Sequence, residues 1–260
     1  MLKSILVVTP PRTGTHFLVT SISKSLNIPE IMLEDYNTNN SSIEESIKNI
    51  GSNIDTSKRF VVGMHARKTN NLLNLSEKFN IITTKRHPIG QAVSILGFYR
   101  VRKRSNWCKE LGGSEQVLYN GVPNSHNFVQ YVQSKRFYDL RKITEDWDCG
   151  NNVIDIDKIM HKNINELNKL NELVGDHVDL FPFDYSSKKY PDTAFHGDPD
   201  YWKTVVSKNT LNSLKEEFGS FDLDTYCEND LSGNQKFIND FNNIEKKVHI
   251  TFCKDCDHNL

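Results

Sequence analysis

Four short stretches with apolar cores punctuate the chain: Ile5–Val8, Arg59–His65, Phe79–Thr84 and Asn152–Asp157. Each is too short for a typical helix and is bounded by polar or turn residues, so each is expected as a strand. The first, Ile5-Leu6-Val7-Val8, is apolar at every position. A strand without a polar face is buried on both sides, as in a parallel sheet. Between these runs the period changes. Phe17, Leu18, Ile22 and Leu26 recur at helical spacing and predict a helix over His16–Leu26. A short helix is expected over Asn71–Phe79. Another opens at Pro88, a residue suited to a first helical turn, and continues through Gln91, Val93, Ser94 and Phe98. Ile164–Val174 and Asn209–Phe218 also read as helices. Strands and helices alternate from the first strand on, which predicts an α/β fold: a central parallel sheet flanked by helices.

Other segments carry less pattern. Residues 34–58 are rich in Asn and Ser, and Ser42-Ile43-Glu44-Glu45 has the form of a capping box opening a surface helix. Residues 100–148 are basic, aromatic and mostly helical in pattern, with Phe128, Tyr131, Val132, Phe137, Leu140 and Trp147 as a candidate buried face. Tyr185–Pro199 reads as a loop and residues 226–260 as a polar tail. No repeat or linker divides the chain, so a single domain is expected.

Composition narrows the function. A length of 260 residues suits one large α/β domain, and 37% hydrophobic with 25% charged residues is ordinary for a soluble globular protein. The net charge of −1 offers no basic excess for a nucleic acid, so none is expected as a partner and any anion site must be local. No apolar run is long enough to span a bilayer. The N-terminus passes from its apolar run straight into Pro10 without a small-residue cleavage site, as a strand does and a signal peptide does not. Five cysteines, an odd number, argue against a disulfide framework and for a reducing, cytoplasmic setting. Cys108, Cys149 and Cys227 are expected as buried packing. Cys253 and Cys256, with His258, provide too few ligands for a structural zinc site, and no metal is expected.

The chemistry gathers where strands end. Pro10-Pro11-Arg12-Thr13-Gly14-Thr15 joins the first strand to the first helix. Such a loop presents backbone N–H groups and the positive end of a helix dipole to an anion. Gly14 allows close backbone approach, and Arg12, Thr13 and Thr15 add side-chain donors. The loop is not that of a nucleoside triphosphatase, which needs a longer spacing and a Lys after the glycine. Arg86 leaves the third strand, where ligands of open α/β sheets collect, and Ser94 follows two helical turns later. An arginine fork suits a phosphate monoester. His65 ends the second strand, and its near-neutral pKa suits a general base. Arg67 and Lys68 beside it, and the basic run Arg100–Arg104, are candidate contacts for an acidic acceptor.

Pro11-Arg12-Thr13-Gly14-Thr15-His16-Phe17-Leu18 resembles the 5′-phosphosulfate loop of the sulfotransferase family. Arg86-His87-Pro88-Ile89-Gly90-Gln91-Ala92-Val93-Ser94 resembles its 3′-phosphate motif, with His87 and Gly90 where acidic residues are usual. Val61–Ala66 is similar to the family strand that ends in a histidine base, although Met64 replaces a Thr and no Pro follows. Gly197, Trp202 and Lys203 match part of the segment that closes over the 3′-phosphate.

The resemblance implies a parallel sheet of the P-loop kinase type, PAPS as sulfuryl donor, PAP as product and no obligatory metal. It implies that Arg12, Thr13, Gly14, Thr15 and His16 bind the 5′-phosphosulfate, with Arg12 also stabilising the leaving phosphate. Arg86 and Ser94 would hold the 3′-phosphate, and His65 would deprotonate the acceptor. Residues 1–99 would then be the PAPS-binding core, 100–148 an acceptor-side segment, and 149–225 the rest of the core with its closing loop. The expected acceptor is a hydroxyl or amine on a small molecule or glycan, with lipid and peptide tyrosine also open; its identity and the oligomeric state are not legible. Two other readings share the loop: a P-loop phosphotransferase, and a non-catalytic nucleotide- or glycan-binding module in which His65 is dispensable.

Overall fold

A computed structural model describes residues 3–33, 45–46, 55, 57–68, 75–102, 118, 121–181, 198–218, 227 and 229–252. The chain forms two compact units. One comprises Met1–His87 and Asp139–Pro182; the other comprises Pro88–Tyr138 and Phe183–Leu260.

The first unit holds the sheet. Its strands are β1 (Ser4–Val8), β2 (Glu30–Leu33), β3 (Val61–Met64), β4 (Phe79–Lys85) and β5 (Val153–Asp155), in the order β2-β3-β1-β4-β5. Every pairing is parallel. The alternation of side chains along β1 sorts the core into two layers. Leu6 and Val8 face one cluster, with Leu75 of α2 (Leu75–Lys78) and Ile143 and Trp147 of α5 (Lys135–Trp147). Ile5 and Val7 face the other, with Leu18, Val19 and Ile22 of α1 (Thr15–Leu26), Ile156 and Ile159 of α6 (Ile156–Met160), and Leu170 and Val174 of α7 (Ile164–Val174). Helices therefore cover both faces, and the expected α/β class is the one observed.

Two details of the sheet differ from the sequence reading. Glu30–Leu33 forms an edge strand where none is expected from its short, mixed pattern; it gains its place by pairing with β3. The fourth strand stops at Asp155, not Asp157. Asp155 is the N-cap of α6, its side chain accepting from the Lys158 amide at 3.3 Å, so the chain turns helical two residues earlier.

The second unit contains α3 (Pro88–Arg102), α4 (His126–Val132), a 3₁₀ turn (Tyr201–Thr204), α8 (Lys208–Phe218) and α9 (Asp230–Phe252). Asn124 joins several of its segments. Its Nδ2 donates to the Val205 carbonyl at 2.8 Å and its Oδ1 accepts from the Ser207 amide at 2.8 Å, while its own amide donates to Asn234 Oδ1 at 3.0 Å. Residues 230–252, read from the sequence only as polar, form a helix that buries Phe237 and Phe241. Arg100 lies 4.9 Å from the Phe241 ring centroid and donates to the Gly121 carbonyl at 2.8 Å. The first cation of the basic run is thus packed within its own unit. Lys103, Arg104, Ser42–Glu44, residues 71–74, the 185–197 stretch with Gly197, Cys108, and Cys253, Cys256 and His258 lie outside the described residues.

Cys149 corrects its expectation. It is exposed and not core packing, because it sits in the turn after α5. Cys227 is half-buried. Among the described residues, no helix is long and apolar enough to cross a membrane, and no group of His, Cys, Asp and Glu is placed to hold a metal ion.

Candidate functional site

Register decides what meets at the strand ends. Val8 of β1 is level with Met64 of β3 and with Thr83 of β4, and Lys85 of β4 is level with Asp155 of β5. The residues just beyond are neighbours as a result: Thr9 with His65, Thr9 with Thr84, and Arg86 with the first turn of α6. The Thr9 amide continues the ladder to the Met64 carbonyl at 3.1 Å.

The loop after β1 is built around two left-handed residues, Arg12 at φ 67° and Gly14 at φ 86°. Gly14 also needs its missing side chain: a Cβ there would lie 2.5 Å from Ile156 Cγ1. Gly14 is the N-cap of α1 and has no side-chain capping bond. The first bond of the helix runs from the Leu18 amide to the Gly14 carbonyl at 2.9 Å, so the amides of the first turn point out of the helix N-terminus. That is the donor set an anion requires.

The threonines have divided roles. Thr13 is buried, and its hydroxyl lies 2.6 Å from the Pro10 carbonyl and 2.7 Å from Thr84 Oγ1. Its one hydroxyl hydrogen goes to a protein acceptor in either arrangement. Thr84 Oγ1 also lies 3.0 Å from the Thr13 carbonyl. Thr13 therefore braces the loop against β4, and its backbone amide is the donor left to it. Thr15 Oγ1 is hydrogen-bonded to Thr9 Oγ1; when Thr9 donates, the Thr15 O–H remains for another acceptor. His16 is half-buried in the first turn of α1.

His65 Nδ1 lies 2.9 Å from the Thr9 carbonyl oxygen. A carbonyl only accepts, so Nδ1 carries the hydrogen and the neutral ring keeps its lone pair on Nε2. Burial holds the imidazole below the usual histidine pKa; the Thr9 carbonyl opposes this, and the nearby Arg12 guanidinium adds to it. The ring is an oriented, neutral base.

The cations beside His65 turn elsewhere. Arg67 grips the Asp146 carboxylate through Nε and Nη2 and lies 3.4 Å from the Asp139 carbonyl through Nη1. Lys68 Nζ stands 5.6 Å from the Trp147 ring centroid, and Trp147 Nε1 donates to the Ala66 carbonyl at 2.8 Å. These contacts tie the β3 exit to α5, which departs from the expectation of an acidic-acceptor contact.

Arg86 is held more firmly than its motif alone indicates. Its Nε donates to Asp157 Oδ1 at 3.1 Å and its Nη1 to the Arg12 carbonyl at 3.3 Å. Asp157 Oδ2 also accepts from the His87 amide at 2.8 Å. Burial raises the pKa of Asp157, while Arg86 and the His87 amide pull it down. Sequence reasoning passed over Asp157, counting it as the end of a strand; the usable signal was an Asp-x-Asp at the carboxyl end of a strand in an α/β sheet.

The first unit thus brings together Arg12–His16, His65, Arg86 and Asp157. Ser94 is buried on α3 and belongs to the second unit, as do the buried Trp202 and Lys203, whose Nζ pairs with Asp200 at 3.0 Å.

No family model matches the chain, and no curated protein matches it. Several solved structures resemble it, two of them complexes with PAP. A mouse sulfotransferase, SULT7A1, complexed with PAP shares 18% identity at a TM-score of 0.42, over 99% of this chain and 86% of that one. Retinol dehydratase in complex with androsterone and inactive cofactor PAP shares 14% at a TM-score of 0.35, over 99% and 82%. At TM-scores below one half, neither likeness bears on what this chain does.

Proposed function

We propose that the chain is a PAPS-dependent sulfotransferase acting on a hydroxyl or amine. The observation that carries this reading is that β3, β1 and β4 are adjacent in the sheet and end at the same edge, β4 two residues beyond the other two. These neighbouring strand ends carry a histidine oriented through Nδ1, a loop opening on helix amides and a largely shielded arginine, which supports the reading.

The donor set fits two phosphate groups. The α1 amides, with Arg12 and His16, suit the 5′-phosphosulfate. Arg86 suits the 3′-phosphate, to which the sequence motif also assigns Ser94. PAPS supplies the activated sulfuryl group: its sulfur gains the acceptor's oxygen or nitrogen and loses the bond to the 5′-phosphate, leaving PAP. His65 Nε2 takes the acceptor's proton, and the Thr9 carbonyl stabilises the imidazolium through Nδ1–H. Arg12 and the loop amides offset the charge that develops on the leaving phosphate, a preorganised contribution that needs no rearrangement during the step. The segments 100–148 and 185–200 are the sources proposed for acceptor selectivity, for small molecules or glycans.

Two variants test the assignment. Arg86→Ala loses PAP binding by calorimetry. His65→Ala keeps PAP binding and loses transfer from PAPS across a panel of phenols, sterols, amines and glycans. Transfer at the wild-type rate in His65→Ala removes the base assignment. PAP binding without transfer by the wild-type chain favours a binding module on the same fold.

A further inference from the structure

Asp157 belongs to neither anion motif, yet its carboxylate and one guanidinium join three segments. Asp157 takes Nε of Arg86 at 3.1 Å and the His87 amide at 2.8 Å, so the β4 exit is pinned to the first turn of α6. Arg86 Nη1 then reaches the Arg12 carbonyl at 3.3 Å, at one of the loop's two left-handed residues. A non-glycine residue in that conformation is strained and persists where surrounding contacts hold it. The pair is largely shielded, with side-chain exposures of 10% for Arg86 and 18% for Asp157. A guanidinium has five N–H groups. Two are used here, and Nη2 carries no bond among the described residues.

We propose that Asp157 is a positioning residue of the anion site. By taking Arg86 through Nε, it leaves the Nη edge for a phosphate and keeps Nη1 on the Arg12 peptide, so the two anion subsites share one brace. The phosphate is PAP's only on the reading above; the brace itself is independent of that reading. A merely structural ion pair has a different consequence. Its loss lowers the melting temperature and leaves both the PAP affinity of the folded protein and the dynamics of the loop unchanged.

The test uses the full chain as wild type, Asp157→Asn, Arg86→Ala and the double variant. PAP affinity is measured by calorimetry, and amide hydrogen exchange of residues 12–16 is measured without ligand. Asp157→Asn weakens PAP about tenfold, as for a lost hydrogen bond to a charged group, and speeds exchange in the loop. In the Arg86→Ala background, where PAP is not bound, Asp157→Asn adds nothing to loop exchange. In the single variant, unchanged or tighter PAP binding together with unchanged loop exchange overturns the proposal, as does a fully additive gain in loop exchange in the double variant. If the wild-type chain takes no PAP, the sulfotransferase reading falls, and loop exchange in Asp157→Asn alone decides the brace. If Asp157→Asn does not fold, Asp157→Glu carries the same two readouts, since it keeps the charge and displaces it by one methylene. Affinity and loop exchange identical to wild type in that variant also overturn the proposal.

Discussion

One ring nitrogen of His65 is committed to the Thr9 carbonyl, and that contact gives its titration a direction. Its pKa lies below the ordinary value in the folded chain, chiefly because burial disfavours the imidazolium. The base form is therefore favoured at neutral pH, and on the proposed reading the acid limb of kcat/KM is expected below about pH 6.5. The sign for stability follows from linkage. As pH falls past about 6.5, the unfolded chain binds this proton before the folded one, so the site removes stability down to the folded pKa and contributes no pH dependence below that pKa or above about 6.5. His65→Gln flattens both profiles; an acid limb that survives in this variant reassigns the base. Gly14 is the other residue on which the site depends. Gly14→Ala is expected to cost about 1–2 kcal/mol for a left-handed alanine and about 1–3 kcal/mol for overpacking Ile156. Denaturant midpoints measure the total, and a midpoint equal to wild type refutes the tight approach of the loop to α6.

At the scale of elements, the position of each strand end matters more than its length. β5 has three residues, yet its register against β4 sets Asp157 beside Arg86. In the second unit the contact between α9 and the Val205 peptide has a similar role. A Cβ on Gly233 would lie 2.2 Å from the Val205 carbonyl oxygen, which is backbone and has little freedom to yield. Gly233→Ala is therefore expected to separate α9 from the Val205–Ser207 segment and weaken the bonds of Asn124 there, with a loss of roughly 1–3 kcal/mol. A thermal melt unchanged from wild type contradicts it. Much at this scale was legible beforehand. The β1 run, the helix after it, β3, β4 and the helix opening at Pro88 all follow from periodicity and turn residues. The edge strand Glu30–Leu33 was not, because four residues of mixed polarity become a strand only when a neighbour supplies the ladder.

For the whole molecule, ligand linkage separates the readings. A ligand that binds only the folded chain adds about 2.7 kcal/mol at a hundredfold excess over its Kd. For a chain near this size that corresponds to roughly 5–10 °C in Tm. PAP is expected to produce a shift of this order, and ATP with magnesium is expected to produce less. The reverse preference supports a P-loop phosphotransferase and sinks the PAPS reading.

The sequence by itself determined the alternation of strands and helices, the amide-rich loop at Pro10–Thr15, and the candidates His65 and Arg86. These features depend on local chemistry: apolar period, a glycine where the backbone turns left-handed, and charged residues at the ends of buried runs. Only the tertiary structure decided what those residues touch. Thr13 turned inward to Thr84, Arg67 went to Asp146, the His65 tautomer was set by the Thr9 carbonyl, and Arg86 was locked by Asp157. Each of these partners lies more than fifty positions away along the chain. Parallel register brings them together, and one-dimensional patterning carries no record of register between strands.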